Sequence, residues 1–440
     1  MGASPGLVAS PQPATGASAR RLTKNQQAGP KSAASKKGAR GARTLSNPRM
    51  LAEKIVDAVR RTIGAAHSLV LLHEPYLPPN TSLYVQECID TGWVSSAGAY
   101  VTKFERQLAE VTGSARAVAV VNGTAALQLC FQLAGVQRDD EILCPSLSFV
   151  ATANAISHCG AVPHFIDVEP TRMSLCPEEL EKRLSLIGRM ENGRFINRET
   201  GRRIAAVCPM HCLGHPADIQ RIVDVCNRFE LPLVEDAAES LGSYYAGKHT
   251  GRFGLISAVS FNGNKILTTG GGGAILTDDA TLADRAKHLS TTAKVAHPWE
   301  FYHDEVAYNY RLPNINAALG CAQLEVLSET IVAKRRIADA YAESFRKLEE
   351  VDFIQEPSGT TSNYWLNGFI LRPKHASMRD EILHALNAAN YQSRPLWQPI
   401  HTFPMYNHCP RGPLENTMSL CARTINIPSS APLLTRLANR

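Results

Sequence analysis

The sequence predicts an α/β protein built around a mostly parallel sheet, and three features of its 440 residues lead to this fold class. From about residue 51, short β-branched or apolar runs alternate with longer segments of helical period, which is typical of βαβ units. Apolar residues make up 44% of the chain and charged residues 20%, enough to bury a large core. No apolar run approaches the roughly 18 residues that a membrane span needs, so we expect no membrane-spanning segment.

Residues 1–50 are predicted to be a disordered basic tail. They hold nine of the 46 lysines and arginines and no acidic or aromatic residue, so apolar burial cannot offset the entropy of ordering them. An organelle transit peptide and a nucleic-acid-binding arm have the same composition and stay open as alternatives. The rest of the chain carries 37 basic and 40 acidic side chains, so we expect no nucleic acid as a partner of the folded part.

Residues 51–325 are predicted to form a large domain around a seven-stranded sheet. Its strands are expected at residues 117–121, 141–144, 162–166, 204–208, 233–235, 258–261 and 274–277, with helices at 124–134, 217–229 and 280–289 between them. The polar segment 191–203 is predicted to be an insertion loop in front of the strand at 204.

Residues 326–440 are predicted to form a smaller C-terminal α/β domain. The pattern changes after Asn309, where one long helical stretch runs over about 314–348. Shorter strands near 364–371 and 424–427 then flank a helix near 378–389.

The eleven cysteines are an odd number and are scattered through apolar segments, so they do not form a disulfide framework. Reduced thiols and a cytoplasmic location fit this distribution best. The one cluster resembling a metal site, Cys208, His211, Cys212 and His215, matches no common zinc spacing. We therefore predict no metal site.

Three short motifs follow predicted strands and carry chemically useful groups. In the first, Gly123 and Thr124 follow an apolar strand and open a helix, where free N–H groups and a hydroxyl suit a phosphate. An ordinary capped turn between strand and helix has the same pattern. By itself, this motif leaves both interpretations open.

In the second motif, Glu235 and Asp236 end an apolar strand, at the position where open α/β sheets bind ligands. One of the two is expected to face the crevice, where a carboxylate can hold a ring nitrogen in its protonated form. A metal-ligating or helix-capping acid remains the alternative.

In the third motif, Lys265 is the only charged residue between Ser260 and Gly273. A lysine in a pocket loses its proton at moderate cost and then attacks carbonyl carbons, as a Schiff base requires. The four glycines that follow are also explained by a tight entry into the strand at 274.

Taken together, Thr124, Asp236 and Lys265 in this order resemble the fold-type I enzymes that use pyridoxal phosphate (PLP), specifically the DegT/DnrJ/EryC1/StrS sugar aminotransferases. Similar blocks occur at residues 91–105, 145–154 and 309–325, and the resemblance covers about residues 73–430. It implies a PLP-dependent transaminase with fold type I architecture. One departure is Gly271, where the wider family commonly carries an acidic residue.

The resemblance also implies a role for each matching position. Lys265 would form the Schiff base with the cofactor and Asp236 would pair with its pyridine nitrogen. The other positions implied to bind the cofactor are Gly123, Thr124 and Ser260 at the phosphate, Phe149 and Glu239 at the ring, and Asn309 at the phosphate of a neighbouring subunit. A homodimer with shared active sites would then be the minimal active unit.

Within the family, the chain is most similar to the legionaminic acid and bacillosamine-type branch, through His73-Glu-Pro, the block at residues 235–240, Asn262-Gly-Asn-Lys265 and Asn426-Ile-Pro-Ser-Ser430. This branch implies UDP-2-acetamido-4-keto-2,4,6-trideoxyglucose as substrate, L-glutamate as donor, and a 4-amino sugar for surface polysaccharide or glycan synthesis. A GDP- or dTDP-linked 4-keto-6-deoxy sugar is the alternative substrate.

Two other functions are known alternatives to transamination on this scaffold. A sugar dehydratase on this scaffold would carry histidine at the position of Lys265, and a non-catalytic regulatory homologue would not need Thr124, Asp236 and Lys265 together. For the sugar, Arg394 and His401 are candidate contacts, with a simple salt bridge for Arg394 and a core or surface role for His401 as alternatives. The sequence leaves open the stereochemistry of amination and any assembly beyond a dimer.

Overall fold

The computed structural model describes residues 48–434. The α-helices in this range are α1 (Pro48–Ile63), α2 (Asn80–Asp90), α3 (Ala99–Thr112), α4 (Gly123–Leu133), α5 (Ala151–His158), α6 (Pro177–Ile187), α7 (Ile219–Arg228), α8 (Ala280–Ser290), α9 (Asn314–Glu325), α10 (Leu327–Phe345), α11 (Arg379–Ala388) and α12 (Glu415–Arg423). Residues 1–47 of the predicted basic tail lie outside the described residues. Its last three residues are helical instead, because α1 begins at Pro48, and proline is well tolerated in a first helical turn.

Eighteen β-strands lie in the same described range. They are β1 (Arg116–Val120), β2 (Glu141–Pro145), β3 (Val162–Ile166), β4 (Gly188–Glu191), β5 (Arg194–Asn197), β6 (Ile204–Val207), β7 (Val234–Asp236), β8 (Tyr244–Tyr245), β9 (Lys248–His249), β10 (Ile256–Ser260), β11 (Gly273–Thr277), β12 (Lys294–Val295), β13 (Tyr302–His303), β14 (Val351–Phe353), β15 (Thr360–Thr361), β16 (Asn367–Leu371), β17 (Arg394–Pro395) and β18 (Thr424–Ile427).

The predicted seven-stranded sheet is confirmed. Its strands follow the order β1-β11-β10-β7 and then β6-β2-β3, and parallel bridges from Val207 to Leu233 and from Met210 to Asp236 join the two groups. Only β11 runs antiparallel to its neighbours in this sheet. The carboxyl ends of β1, β7 and β10 therefore meet at one edge, where ligands bind in open α/β sheets.

Helices cover both faces of this sheet, and the side chains of β1 show why. Val118 and Val120 pack with α4, α5 and α8 in one apolar cluster, whereas Ala117 and Ala119 pack with α3 and α9 in another. Alternate residues of a strand point to opposite faces, so an uninterrupted apolar strand needs cover on both sides. The result is a three-layer α/β domain.

The segment predicted as an insertion loop, residues 191–203, begins instead with a β-hairpin that spans residues 188–197. Strands β4 and β5 pair antiparallel, and the two residues between them, Asn192 and Gly193, both have positive φ. Asn-Gly is the preferred dipeptide for such a two-residue turn. The buried carboxylate of Glu141 on β2 anchors the segment, accepting hydrogen bonds from Asn197 at 2.8 Å and Thr200 at 2.5 Å.

The C-terminal part contains a four-stranded antiparallel sheet in the order β14-β16-β18-β17, packed against α10 and α11. The long helix predicted over 314–348 is two helices, because the chain bends at Val326, whose φ and ψ are −114° and 7°. Helix α1 also packs on α10 and α11. The boundary at residue 325 stays a prediction.

Among the described residues, no helix has the length and apolar character that crossing a bilayer requires. All eleven cysteines fall in the described range and carry free thiols. In the cluster of Cys208, His211, Cys212 and His215, the Nε2 atom of His211 lies 3.0 Å from Glu235 Oε2, and its Nδ1 accepts a hydrogen bond from the Ala217 amide. His215 packs edge-on against Tyr364.

Candidate active site

A cavity of about 300 Å³ opens at the carboxyl ends of β1, β7 and β10. It is lined by Asn122, Gly123, Thr124, Leu127, Phe149, Ala151, Met210, Asp236, Ala238, Glu239, Ser260, Asn262, Asn264, Lys265, Gly272, Trp365 and Trp397. Seven of the residues predicted from the sequence to carry the chemistry are in this lining. The fold therefore brings together segments that are more than one hundred residues apart in the chain.

Lys265 projects into the cavity from the turn after β10, where its amide donates to the Asn262 carbonyl at 2.9 Å. Its Nζ lies 3.3 Å from Glu239 Oε1 and 4.0 Å from the centre of the Trp365 ring. The side chain is only 11% exposed. A single amine in a largely enclosed cavity is suited to nucleophilic attack and to proton transfer.

Asp236 ends β7 and is almost fully buried. Burial raises the pKa of its carboxyl group, against the opposing effects of a hydrogen bond from Thr152, the Ala238 amide and the charge of Lys265. The Thr152 hydroxyl donates to Asp236 Oδ2 at 2.7 Å and lies 2.7 Å from the hydroxyl of Ser148. A buried carboxylate that attracts protons strongly is stabilised by a cationic partner such as a protonated ring nitrogen.

The carboxylate of Glu239 lies between the backbone of Leu213 and the side chain of Lys265. Its Oε2 accepts from the Leu213 amide at 2.9 Å. Burial raises the pKa of this carboxyl to about 7, even though the Lys265 charge opposes the shift. Near neutral pH Glu239 is therefore able both to accept and to donate a proton.

The amino end of α4 lines the part of the cavity nearest Ser260. The Asn122 side chain caps this helix by accepting from the Ala125 amide at 2.8 Å. A Cβ on Gly123 would come within 2.8 Å of the Ser260 Cβ, so the close approach of the two segments requires glycine. A helix N-terminus beside two hydroxyl-bearing residues, Thr124 and Ser260, is a favourable phosphate site.

This donor set fits PLP. An amine, a buried carboxylate and a helix N-terminus match the aldehyde, the ring nitrogen and the phosphate of the cofactor. Phe149 also lines the cavity and is 51% exposed, with its ring 6.4 Å from that of Trp397. It is available to contact a flat ring.

The second strand-end acid, Glu235, points away from the cavity. It is completely buried and accepts hydrogen bonds from His211 and from the amides of Gly251, Phe253 and Gly254. Burial opposes its ionisation, but these donors lower the pKa of the Glu235 carboxyl. Of the adjacent pair, only Asp236 is available to a ligand.

Three predicted residues are not among those lining the cavity. The backbone of Asn309 pairs with Thr291, and its predicted contact with a neighbouring subunit stays a prediction. Arg394 is exposed on β17. His401 is half-buried and hydrogen-bonded through Nδ1 to the Ser146 hydroxyl at 2.7 Å. At Gly271 an added Cβ would meet open space, so packing explains no need for glycine there.

The sequence interpretation missed Thr152, Trp365 and Trp397. Thr152 lies inside a block that was recognised, but its hydroxyl gains a role only because β7 places Asp236 beside it. Trp365 precedes β16 in a segment predicted to be a strand. Its position next to Lys265 follows from the packing of the C-terminal part and carries no local sequence signal.

Comparison with known proteins gives a consistent result. The model of the DegT/DnrJ/EryC1/StrS aminotransferase family matches residues 77–438. A GDP-perosamine synthase of Vibrio cholerae is 37% identical over 82% of this chain and 94% of its own length. EpsN of Bacillus subtilis (strain 168), provisionally named a pyridoxal phosphate-dependent aminotransferase, is 37% identical over 83% and 92%.

A solved structure of a DegT DnrJ EryC1 StrS aminotransferase from Brucella abortus has a similar fold. It superposes with a TM-score of 0.73 at 27% identity, covering 82% of this chain and 95% of that one.

Proposed function

The chain belongs to the DegT/DnrJ/EryC1/StrS aminotransferase family, and on this basis we propose that it transfers an amino group from L-glutamate to the 4-keto group of a nucleotide-linked 4-keto-6-deoxy sugar. The chain is a PLP-dependent transaminase. The observation that supports the proposed residue roles most directly is the cavity in which Lys265, Asp236 and the amino end of α4 meet.

When bound, PLP supplies an aldehyde carbon that condenses with amines and a ring that accepts electrons. We assign Lys265 two roles at this carbon. Its Nζ would hold the cofactor covalently, and as a free amine it would remove the proton from the donor Cα. The nearby carboxylate of Glu239, 3.3 Å away, accepts a hydrogen bond from Nζ and orients it.

Asp236 keeps the cofactor ring nitrogen protonated in this proposal. Its carboxyl is buried, so a cation beside it is strongly favoured over water as a partner. Thr152 donates to one of its oxygens and the Ala238 amide donates to the other at 3.2 Å, so the carboxylate is held in one orientation. The amino end of α4, with Gly123, Thr124 and Ser260, receives the phosphate.

We further propose a cytoplasmic homodimer in which Asn309 reaches the phosphate site of the partner subunit. Eleven free thiols, ten of them buried, fit a reducing compartment. Asn309 lies outside the cavity of its own chain, as a residue that serves a second subunit would.

For the nucleotide, we propose a GDP-linked sugar as the first substrate class. The support is the 37% identity to a GDP-perosamine synthase over most of both chains. UDP-2-acetamido-4-keto-2,4,6-trideoxyglucose is the second candidate, because the motifs at His73, residues 262–265 and residues 426–430 resemble the branch that uses it.

The cofactor assignment is tested by borohydride reduction of the purified protein followed by peptide mass spectrometry. We expect the reduced cofactor on the Lys265 peptide, and Lys265→Ala should abolish both the label and turnover. Lys182→Ala, at an exposed lysine on α6, is the matched control and should retain both. A label on another lysine, or full activity in Lys265→Ala, would contradict the proposal.

The substrate is tested with GDP-, UDP- and dTDP-linked 4-keto-6-deoxy sugars and glutamate, with the products identified by mass spectrometry. Highest kcat/KM for the GDP-linked sugar supports the first class. Preference for the UDP-linked acetamido sugar would replace it with the second. Amination of none of them, alongside a Lys265 that is labelled, would refute this substrate class while leaving the transaminase intact.

A further inference from the structure

The indole ring of Trp365 lies against the amine of Lys265. Nζ is 4.0 Å from the ring centre, and the side chain of Trp365 is almost fully buried, at 4% exposure. Its indole N–H donates to the carbonyl of Asn264, the residue before Lys265, at 2.7 Å. The ring is therefore fixed with respect to the lysine backbone as well as to its amine.

A second set of hydrogen bonds ties the backbone of Trp365 to that of Glu239. The amide of Trp365 donates to Asn363 Oδ1 at 2.8 Å, and Asn363 Nδ2 donates to the carbonyls of Glu239 and Leu241, each at 2.9 Å. The Trp365 ring and the Glu239 carboxylate, which both lie next to Lys265 Nζ, are thus linked to each other through Asn363.

Behind the tryptophan lies Lys334, at the middle of α10, with no exposed side-chain surface. Its Nζ donates to the carbonyl of Trp365 at 3.0 Å and to that of Ser429 at 2.6 Å. No carboxylate forms an ion pair with it among residues 48–434, and burial lowers the pKa of Lys334 to about 7. Burying an amine costs free energy unless its hydrogen bonds are satisfied. The two hydrogen bonds to the carbonyls of Trp365 and Ser429 therefore account for the buried position of Lys334.

The ring face attracts an ammonium group much more strongly than a neutral amine. With PLP bound, Lys265 Nζ would take the proton from the donor Cα and carry it as an ammonium until the proton is passed on. Burial raises the pKa of the Glu239 carboxyl to about 7, so this group is a weaker counter-charge for the ammonium than an exposed carboxylate. The ring therefore offers the proton-carrying amine a second attractive surface.

We propose that Trp365 is a catalytic residue on whose face the protonated Lys265 amine rests between its two proton transfers, and that Lys334 is the positioning residue that holds Trp365 there. This inference rests on the proposed role of Lys265. It assigns function to two residues that lie outside the recognised sequence motifs.

The test measures Lys265 directly in enzyme from which the cofactor has been removed. Acetic anhydride acetylates only the neutral amine, so the pH midpoint of Lys265 labelling, read by mass spectrometry, reports how well the ammonium is stabilised. The titratable groups that face Lys265 are Asp236, Glu239 and His73, and burial holds the pKa of His73 well below its usual value. All of them stay unchanged in the variants.

We expect Trp365→Leu to lower the midpoint by about half to one and a half pH units. Trp365→Phe keeps a ring face but loses the bond to Asn264, and should give a smaller shift in the same direction. Trp397→Leu changes a cavity tryptophan that packs on Phe149, and should leave the midpoint in place. Equal midpoints in wild type and both Trp365 variants would overturn the proposal.

Lys334→Met removes both hydrogen bonds to carbonyls and Lys334→Gln retains an amide donor. If Lys334 positions Trp365, the Met variant lowers the Lys265 midpoint and the Gln variant restores part of the shift. A lower melting temperature with an unchanged midpoint in both would make Lys334 structural only. If the Lys334→Met variant fails to fold, the Lys265 midpoint in Lys334→Gln still tests Lys334, and the Trp365 variants still test the ring face.

A kinetic readout separates this inference from the substrate proposal. The half-reaction with glutamate alone needs no sugar, and α-deuterated glutamate reports on the proton transfer. Trp365→Leu should slow this half-reaction at least fivefold and enlarge the isotope effect. If borohydride labels a lysine other than Lys265, the proposed function fails, whereas a labelled Lys265 with an unchanged midpoint in the Trp365 variants overturns the Trp365 role alone.

Discussion

The hydrogen bond from Thr152 to Asp236 can be removed with little change of shape. Thr152→Val replaces a buried hydroxyl by a methyl group and leaves Asp236 Oδ2 without the donor that lies 2.7 Å away. Since this bond favours the ionised carboxylate, its loss raises the pKa of Asp236 beyond the rise that burial already causes. A more basic Asp236 competes with the cofactor ring nitrogen for the proton between them, so less of the ring nitrogen would be protonated.

The size of the effect follows from the strength of a hydrogen bond to a buried charge, about 1.5 to 3 kcal/mol. If the transition state feels most of that loss, kcat/KM falls by roughly 10 to 100-fold. Activity should also be lost at a higher pH on the acidic side of the profile, because Asp236 is protonated more easily.

The assay is steady-state transamination from pH 5 to 9, with cofactor content checked by absorbance. Thr112→Val is the matched control, since Thr112 is a buried threonine on α3 whose hydroxyl donates to the Leu108 carbonyl. It should cost some stability and leave kcat/KM unchanged. A Thr152→Val enzyme within twofold of wild type, with an unmoved pH profile, would refute the reasoning.

Three further predictions concern cofactor affinity and stability. Gly123→Ala forces a Cβ to within 2.8 Å of Ser260 and should weaken cofactor binding at least tenfold in a fluorescence titration, whereas Gly271→Ala meets open space and should not. Burial lowers the pKa of His249 to about 4, from 6.5 in the unfolded chain, so folding favours the neutral imidazole. The contribution of His249 to the free energy of unfolding is therefore fully present above pH 6.5 and is lost as the pH falls toward 4. The loss should be about 3 kcal/mol at pH 4 and absent in His249→Gln, as measured by urea unfolding. The hydrogen-bond donors around Glu141 lower the pKa of its carboxyl despite burial, so its contribution to stability is present above about pH 4.5 and lost below it. Glu141→Gln should flatten the acidic part of the plot of unfolding free energy against pH. An unchanged curve in this variant would contradict the assignment.

Much of the sheet could be predicted from the sequence because its strands are continuous apolar runs covered on both faces. Runs such as the one at β1 are separated by helical segments of period 3.6, and both signals are local. The hairpin at β4 and β5 was missed although its Asn192-Gly193 turn is a strong local signal. The break at Val326 was missed for another reason, since the helical period continues across it and only packing bends the chain there.

For the site, the sequence by itself determined which groups are present and that they follow strand ends. Lys265, Asp236 and the Gly123-Thr124 turn were predicted because each lies in a short motif with its own physical signal. Consecutive strand residues point to opposite faces, so the local pattern predicts that one of Glu235 and Asp236 faces the ligand, and only the family resemblance singled out Asp236.

The tertiary structure gives the physical reason for that choice and supplies the partners. Glu235 is turned toward His211 and three backbone amides, which leaves Asp236 for the cavity. Thr152 and Trp365 come from separate segments, and they meet Asp236 and Lys265 only when the domain is packed. Contacts between distant residues depend on how the layers stack, and that information is carried by the whole core rather than by any local pattern.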